Sequence, residues 1–346
     1  MNLGVLENIL ETCKDNIVIS DMFTKANQVI NNSGYKNIVC SVSGGADSDI
    51  MLDVIEKIRK PEVKVTYVWF DTGLEYQATK EHLTYLENRY NIKVQRERAI
   101  KPIPLAVKEY GQPFLSKFVS YILWKMQKSG FKFEDKSYDE LIKEYPHNKT
   151  DIKWWCNMHD PVHMHDYGFS RFNISYYRYL KEFLIENPPQ FKISNLCCDW
   201  AKKKVSKKMI EETNCDLMII GVRKDEGGVR SAAYKNCYSV NENGTSQYRP
   251  LFWVSAKDKD YYVRKYNIVH SDCYTKYGFN RTGCCGCPYG GRNLEFELVK
   301  TELYEPKLYK AVETVFKDSY EYTKQYRAYV QKKKWEEKHK RIKRLF

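Results

Sequence analysis

Between residues 43 and 48 the chain reads Ser43-Gly44-Gly45-Ala46-Asp47-Ser48. Adjacent glycines let backbone N–H groups turn toward an anion at positive φ, and a following helix adds the partial positive charge of its N-terminus. The two serines are further donors. Asp47 suits a helix cap, or a share in a magnesium ion that bridges phosphates. The chemistry this points to is phosphate binding. It is not a Walker A loop, because no Gly-Lys-Ser/Thr ending is present, and the chain has no Gly-x-Gly-x-x-Gly fingerprint.

Cysteines form the second group. There are 11, an odd number spread unevenly, with four between residues 273 and 287 and an adjacent pair at Cys197 and Cys198. Such clustering favours metal or redox chemistry over a disulfide framework. Cys156 with His159, His163 and His165 is another possible metal set, against the commoner case of histidines without a metal.

The elements that must position these residues are legible around them. Ile38-Val39-Cys40-Ser41-Val42 reads as a buried strand ahead of the glycines. Ile50, Leu52, Val54, Ile55 and Ile58 suit a helix ending before Pro61. Val63 to Phe70 reads as a second strand, closed by Asp71-Thr72-Gly73, with a helix from Glu75 to about Arg89. Ile92-Lys93-Val94 and Leu217-Met218-Ile219-Ile220 read as further strands. Alternating strands and helices predict an α/β fold: an open parallel sheet with helices on both faces. Residues 1–36 are expected to form N-terminal helices, and residues 37–292 the main domain. A helical insertion is expected over 131–195, and a basic helical C-terminal extension over 293–346. Ser255-Ala256-Lys257-Asp258 matches a helix capping box.

The bulk numbers fit a globular chain. Of 346 residues, 42% are hydrophobic and 29% charged, and no window approaches the roughly 20 apolar residues of a membrane span. With no signal-peptide pattern at the start, the expected compartment is the cytoplasm. The net charge is +13, and residues 323–346 hold ten lysines and arginines against Glu336 and Glu337. This fits an anionic partner, nucleic acid or a phosphorylated substrate, as well as a solvated basic helix.

The turn resembles that of the PP-loop ATP pyrophosphatase (adenine nucleotide alpha-hydrolase-like) superfamily, and within it the phosphoadenosine phosphosulfate (PAPS) reductase family. Four later segments continue the resemblance in order: Phe70-Asp71-Thr72-Gly73-Leu74-Glu75; Gly221-Val222-Arg223-Lys224-Asp225-Glu226 with Arg230; Tyr248-Arg249-Pro250-Leu251 with Trp253, Asp258 and Tyr261; and Arg281-Thr282-Gly283-Cys284-Cys285-Gly286-Cys287-Pro288. The resemblance implies that Ser43, Gly44, Gly45, Ala46, Asp47 and Ser48 hold phosphates, and that Asp71, Thr72 and Gly73 lie beside the adenosine. It makes Arg223 a partner for phosphate or sulfate and, with Asp47, a catalytic candidate. Arg230 and Lys117 are weaker candidates for the same anion. A structural ion pair of Arg223 with Asp225 or Glu226 is the plainer alternative.

Cys197-Cys198, followed 86 positions later by Cys284-x-x-Cys287, resembles the iron–sulfur motif of adenylylsulfate reductases. Four thiolates suit a 4Fe–4S cluster or, alternatively, zinc. Cys273 and Cys285 are spare thiols, either reactive or able to replace a ligand. In reductases of this kind the nucleophilic cysteine lies near the chain end; here no cysteine follows Cys287. Three activities are therefore expected to compete. The first is sulfur-transfer or sulfonucleotide oxidoreductase chemistry on adenylylsulfate or PAPS. The second is an ATP pyrophosphatase, with magnesium, that activates tRNA or DNA for thiolation or phosphorothioation, the nucleic acid being held by the basic C-terminal helix. The third is a nucleotide-binding module serving a partner protein.

Overall fold

The computed structural model describes residues 3–159, 170, 172–226, 233–240 and 244–343. The chain divides into two compact units. The first comprises Met1–Ile103, Trp200–Cys285 and Glu297–Tyr309; the second comprises Pro104–Asp199, Gly286–Phe296 and Lys310–Phe346.

The first unit is built on a six-stranded sheet. Its strands are β1 (Ile38–Ser41), β2 (Val65–Asp71), β3 (Val94–Arg98), β4 (Leu217–Ile220), β5 (Tyr238–Val240) and β6 (Ser246–Tyr248), in the order β3-β2-β1-β4-β6-β5. All neighbours are parallel except β5, which runs antiparallel to β6. β1 is central, with Ile38 opposite both Val65 and Leu217. Three consecutive buried residues, Ile38, Val39 and Cys40, are what a strand covered on both faces requires. One face packs Ile38, Cys40, Tyr67, Trp69, Leu217 and Ile219 against the helices Ile17–Asn32, Ala46–Ile58 and Gln77–Tyr90. On the other face Val39, Val68 and Met218 meet Met209 of the helix Lys204–Glu212.

The edges depart from the sequence expectation. β3 starts at Val94, where the apolar run Ile92-Lys93-Val94 ends, and continues through Gln95, Arg96, Glu97 and Arg98. A charged edge strand resists pairing with other chains, so it carries no apolar signature. β5 and β6 are three residues each, too short to show an alternation.

The helix Ala46–Ile58 sits at the centre of the first unit and is buried at ten of its 13 positions. Ile50, Leu52, Val54, Ile55 and Ile58 are fully covered. Each such side chain stabilises the fold by about 1.5–3 kcal/mol, an upper bound because the unfolded chain is itself partly compact. Two acids on this helix are buried too, and a buried carboxylate requires partners. Asp53 is met by Lys57, by Tyr90 Oη at 2.9 Å and by Tyr262 Oη at 2.6 Å. Asp49, fully buried, accepts from His82 Nε2 at 2.9 Å and His270 Nδ1 at 2.8 Å.

The second unit is helical. Lys117–Lys128, Tyr138–Glu144, Lys149–Trp155, Leu180–Glu186 and the greater part of Pro306–Lys343 surround Phe114, Trp154, Trp155 and Phe183. Tyr322 and Tyr326, one helical turn apart, bury their rings in this core. Their hydroxyls reach the carbonyls of Asn187 (2.6 Å) and Arg178 (2.9 Å). These tyrosines therefore serve packing. No helix among the described residues is long and apolar enough to cross a membrane.

Candidate functional site: a glycine turn at the strand-order switch

The turn leaves the carboxyl end of β1, where the order reverses between β2 on one side and β4 on the other. Open α/β sheets bind ligands at such switch points, because the two connecting segments diverge there and leave a crevice. Gly44 takes φ +68°, which a β-carbon disfavours. Its own β-carbon position lies 2.7 Å from Thr79 Cγ2, so position 44 excludes any side chain twice over. Gly45 has an ordinary φ of −94° and is demanded by space alone. A β-carbon there would stand 3.1 Å from Thr282 Oγ1, 3.2 Å from Ser43 Oγ and 3.3 Å from Tyr274 Oη. Gly45 N–H reaches Ser43 Oγ (3.3 Å), Ala46 N–H donates to Tyr274 Oη (3.1 Å), and Ser48 Oγ donates back to Gly45 O (2.8 Å).

β4 delivers the second part. Gly221 follows it, and a β-carbon on Gly221 would lie 3.7 Å from the backbone of Asp47. That close approach brings Arg223 onto Asp47, 176 residues away in sequence, with Nε 3.1 Å from Oδ2. Lys259, in the first turn of the helix Ala256–Lys265, places Nζ 2.7 Å from Oδ1 as an ion contact off the hydrogen-bonding direction. The Ser255–Asp258 capping box forms as the sequence predicts and sets that turn. Arg223 also contacts Asp225 at 3.5 Å, while Glu226 accepts from the Arg223 backbone N–H at 3.0 Å. Burial pushes the Asp47 carboxyl up, but Lys259 and Arg223 together outweigh it and hold the group below its ordinary value.

At the end of β2, Asp71 accepts from Gly73 N–H (2.9 Å), and Gly73 has φ +86°. Thr72 is fully buried; its hydroxyl donates to Glu75 (2.5 Å) and lies 3.6 Å from Cys284 Sγ. Burial raises the Glu75 carboxyl, against the opposing pull of Lys202 and the Thr72 hydroxyl. Arg230 lies outside the described residues, as do His163 and His165. Lys117 opens a helix of the second unit.

The cysteines separate into two kinds. Cys273 and Cys285 are fully covered thiols of the first unit, beside Thr79 (3.7 Å) and Thr301 (3.9 Å). Burial pushes them up to about 11 and about 12. At pH 8 almost none of either is thiolate, the reactive form. Folded protein treated with iodoacetamide at pH 8 should therefore keep Cys273 and Cys285 unmodified long after an unfolded control is alkylated throughout, as read by peptide mass spectrometry. Equal rates in the two would remove the argument.

Cys284 belongs to the first unit, and Cys197, Cys198 and Cys287 to the second. Burial raises the Tyr289 phenol against the opposing effect of the Ser120 hydroxyl, and those last three thiols push it further in the same direction as burial. The Tyr289 hydroxyl is buried without a hydrogen-bond partner of good geometry among the described residues. The nearby Ser120 hydroxyl is engaged by the N–H and the carbonyl of Phe114. Three thiols at a polar atom left unsatisfied suit a thiophilic metal in donor chemistry. They are not drawn to ligation geometry: no three His, Cys, Asp or Glu side chains among the described residues are grouped to hold an ion.

Comparison with known proteins follows this geometry. Residues 37–289, from the approach to β1 through the cysteine segment, match the phosphoadenosine phosphosulfate reductase domain. The chain belongs to that family. An uncharacterized protein of Methanocaldococcus jannaschii is 24% identical over 311 residues, 88% of this chain and 47% of the relative, so the chain spans about half the length of the curated relative it matches. Among solved structures, a PAPS reductase from Candida auris in a phosphate complex aligns at TM-score 0.40 and 10% identity, covering 82% of this chain and 96% of that one. A U34-tRNA thiolase of Methanococcus maripaludis with its 4Fe–4S cluster aligns at TM-score 0.38 and 12% identity, over 91% and 79% of the two chains.

Four family-domain residues at this site have no one-dimensional signal. Lys259 is one more lysine in a basic stretch. Tyr274 lies outside every quoted motif, and Thr282 stands inside the cysteine segment with no role attached to it there. His270 meets Asp49 only through the crossover of the fold. A hydroxyl count around the glycines would not have found them, because the three hydroxyls come from three separate segments.

Proposed function

We propose that the chain is an adenine-nucleotide enzyme of sulfur chemistry, acting on adenylylsulfate or PAPS. The single observation that carries this reading is the Ser43–Ser48 turn at the switch point, with Arg223 delivered to it by β4 in a chain of the PAPS reductase domain family. Ser43, Gly44, Gly45, Ala46, Asp47 and Ser48 bind the nucleotide's anionic groups, and Asp71, Thr72 and Gly73 line its adenosine side. Asp47 holds Arg223 and Lys259 in place, so two cations face the oxyanion with one of their charges compensated. The one net positive charge left on this group favours an anion, and the fixed geometry of the turn adds selectivity.

The reaction is a two-electron reduction. A thiolate from a dithiol reductant attacks the sulfate sulfur, and the bond to the bridging oxygen breaks. The nucleotide phosphate leaves with the electron pair. The second thiol then attacks the thiosulfonate, releasing sulfite and leaving a disulfide. Cys197, Cys198 and Cys287 are the residues that would hold an iron–sulfur cluster, with Cys284 joined to them by the sequence pattern. When bound, the cluster would supply one-electron redox chemistry.

The test uses anaerobic, iron-loaded protein with adenylylsulfate or PAPS and a dithiol. Sulfite and the matching nucleotide should appear in equal amounts, and iron-loaded protein should absorb near 400 nm. Cys197→Ala and Cys287→Ala should lose that absorbance. No sulfite from either substrate would overturn the reading.

A second reading, ATP-dependent activation of tRNA or DNA for thiolation, draws on one feature. Trp335 on the C-terminal helix is 61% exposed and lies tilted against His339, 3.8 Å between ring centroids, among the exposed residues Lys332, Lys334, Lys338 and Lys340. Exposed aromatics among lysines suit a single-stranded nucleic acid. Pyrophosphate released from ATP only when tRNA or DNA is added would favour it over sulfite formation.

A further inference from the structure

The helix Lys117–Lys128 of the second unit buries one face and carries aromatic rings on the other. Val119, Ile122, Leu123 and Met126 are covered and form its core side. Lys117, Tyr121, Trp124 and Lys128 follow one another at steps of four, three and four residues, so they line up along the opposite side. Lys117 and Lys128 are exposed, Tyr121 is 43% exposed and Trp124 is half-buried. A plain solvated helix face mixes acids with bases, whereas this helix holds Lys117, Lys125 and Lys128 and no acid at all.

The aromatic pair is held in place. The Tyr121 and Trp124 rings lie 6.1 Å apart between centroids and within 28° of parallel, so a flat ligand that meets one meets the other at nearly the same angle. Lys125 Nζ stands 4.6 Å from the Tyr121 centroid and 2.5 Å from the buried Asp151, which commits it as a brace for the ring. Lys128 Nζ lies 5.5 Å from the Trp124 centroid. Neither Lys117 nor Lys128 has an acidic partner among the described residues. Two rings at one angle, with an ammonium at each end of the row, match flat bases joined by phosphates. An acidic peptide would meet the two lysines and leave the rings without a role.

We propose that the outward face of this helix docks single-stranded nucleic acid, with bases stacked on Tyr121 and Trp124 and phosphates at Lys117 and Lys128. The surface belongs wholly to the second unit and rests on neither reading of the nucleotide site. Its residues are also distinct from Trp335 and the lysines around it, so the two helices are tested separately.

The experiment measures fluorescence anisotropy of a labelled, mixed-sequence, single-stranded oligonucleotide on the full chain across a range of salt. Tyr121→Ala with Trp124→Ala should weaken binding by about tenfold or more, and Tyr121→Phe with Trp124→Phe, which keeps two rings, should stay within about threefold of wild type. Lys117→Gln with Lys128→Gln should flatten the slope of log affinity against log salt by about 1.4, two phosphate contacts at about 0.7 each. The alanine pair should have the same effect in a Trp335→Ala background. If that pair unfolds the chain in urea at lower concentration than wild type, Tyr121→Ala alone carries the comparison, because Tyr121 is the more exposed ring. Unchanged affinity in the folded alanine variant overturns the proposal, as does the absence of any binding by wild type at low salt. Polyglutamate that competes as well as unlabelled oligonucleotide of equal charge overturns it too, since the face would then read charge alone.

Discussion

Gly44→Ala should abolish nucleotide binding and measurably destabilise the first unit. Two independent penalties apply at this residue. At φ +68° an alanine costs roughly 1–2 kcal/mol, because its β-carbon approaches a carbonyl oxygen in the left-handed region. The same β-carbon would sit 2.7 Å from Thr79 Cγ2. Thr79 is almost fully buried and β-branched, so its methyl cannot swing away freely, and its hydroxyl faces Cys273 at 3.7 Å. Together the expected loss is about 2–4 kcal/mol in urea unfolding, with at least a hundredfold loss of nucleotide affinity as the turn shifts. The double variant Gly44→Ala with Thr79→Ser separates the terms. Serine lacks the clashing methyl, so it should recover the packing part of the stability and none of the dihedral part. Unchanged affinity and stability in Gly44→Ala would show that the turn is not shaped as described.

Asp47→Asn should produce the second largest effect, and its pH dependence carries the diagnosis. Asp47 is three-quarters or more shielded and stands between Arg223 and Lys259. Removing its charge leaves two cations facing each other in a partly buried setting, at a cost of about 2–4 kcal/mol at pH 7. The Asp47 pKa is depressed in the folded chain. A depressed carboxyl contributes stability that is fully present above its unfolded value, about 3.9, and is lost as pH falls through the folded value. The gap in stability between wild type and Asp47→Asn should therefore stay flat from pH 7 to about pH 5 and close below about pH 4. A gap that persisted unchanged at pH 3 would show that the loss comes from packing and not from the ion pair. The same variant should bind simple anions more tightly and discriminate less between nucleotides, since the two cations are released toward the turn.

These effects place a limit on what Arg223 does alone. Its guanidinium is engaged by Asp47, Asp225 and the Val254 carbonyl, at 3.1, 3.5 and 3.4 Å. The structural ion pair expected from its neighbours in sequence does form with Asp225, yet the shorter contact is with a residue on a different strand connection. An anion at this site meets Arg223 as part of a three-membered charge group.

The amino-acid sequence by itself determined the local pieces. Two glycines after the apolar run Ile38-Val39-Cys40 point to a tight strand-to-helix turn, and Ser255 with Asp258 to a capping box, because every contact those motifs need lies within four residues. The alternation of strand and helix patterns pointed to a parallel sheet, since a parallel pair needs a crossover between its strands. Tertiary structure alone decided the rest. The Asp47–Arg223–Lys259 group, the Asp49 carboxylate between two histidines, and the approach of Tyr274 and Thr282 to Ser43 join segments about 30 to more than 200 residues apart. No periodicity encodes such meetings; the order of strands in the sheet creates them. Tertiary burial also separated Cys273 and Cys285 from their half-buried neighbours Cys284 and Cys287, since a thiol's acidity depends on what covers it and not on its neighbours in the chain.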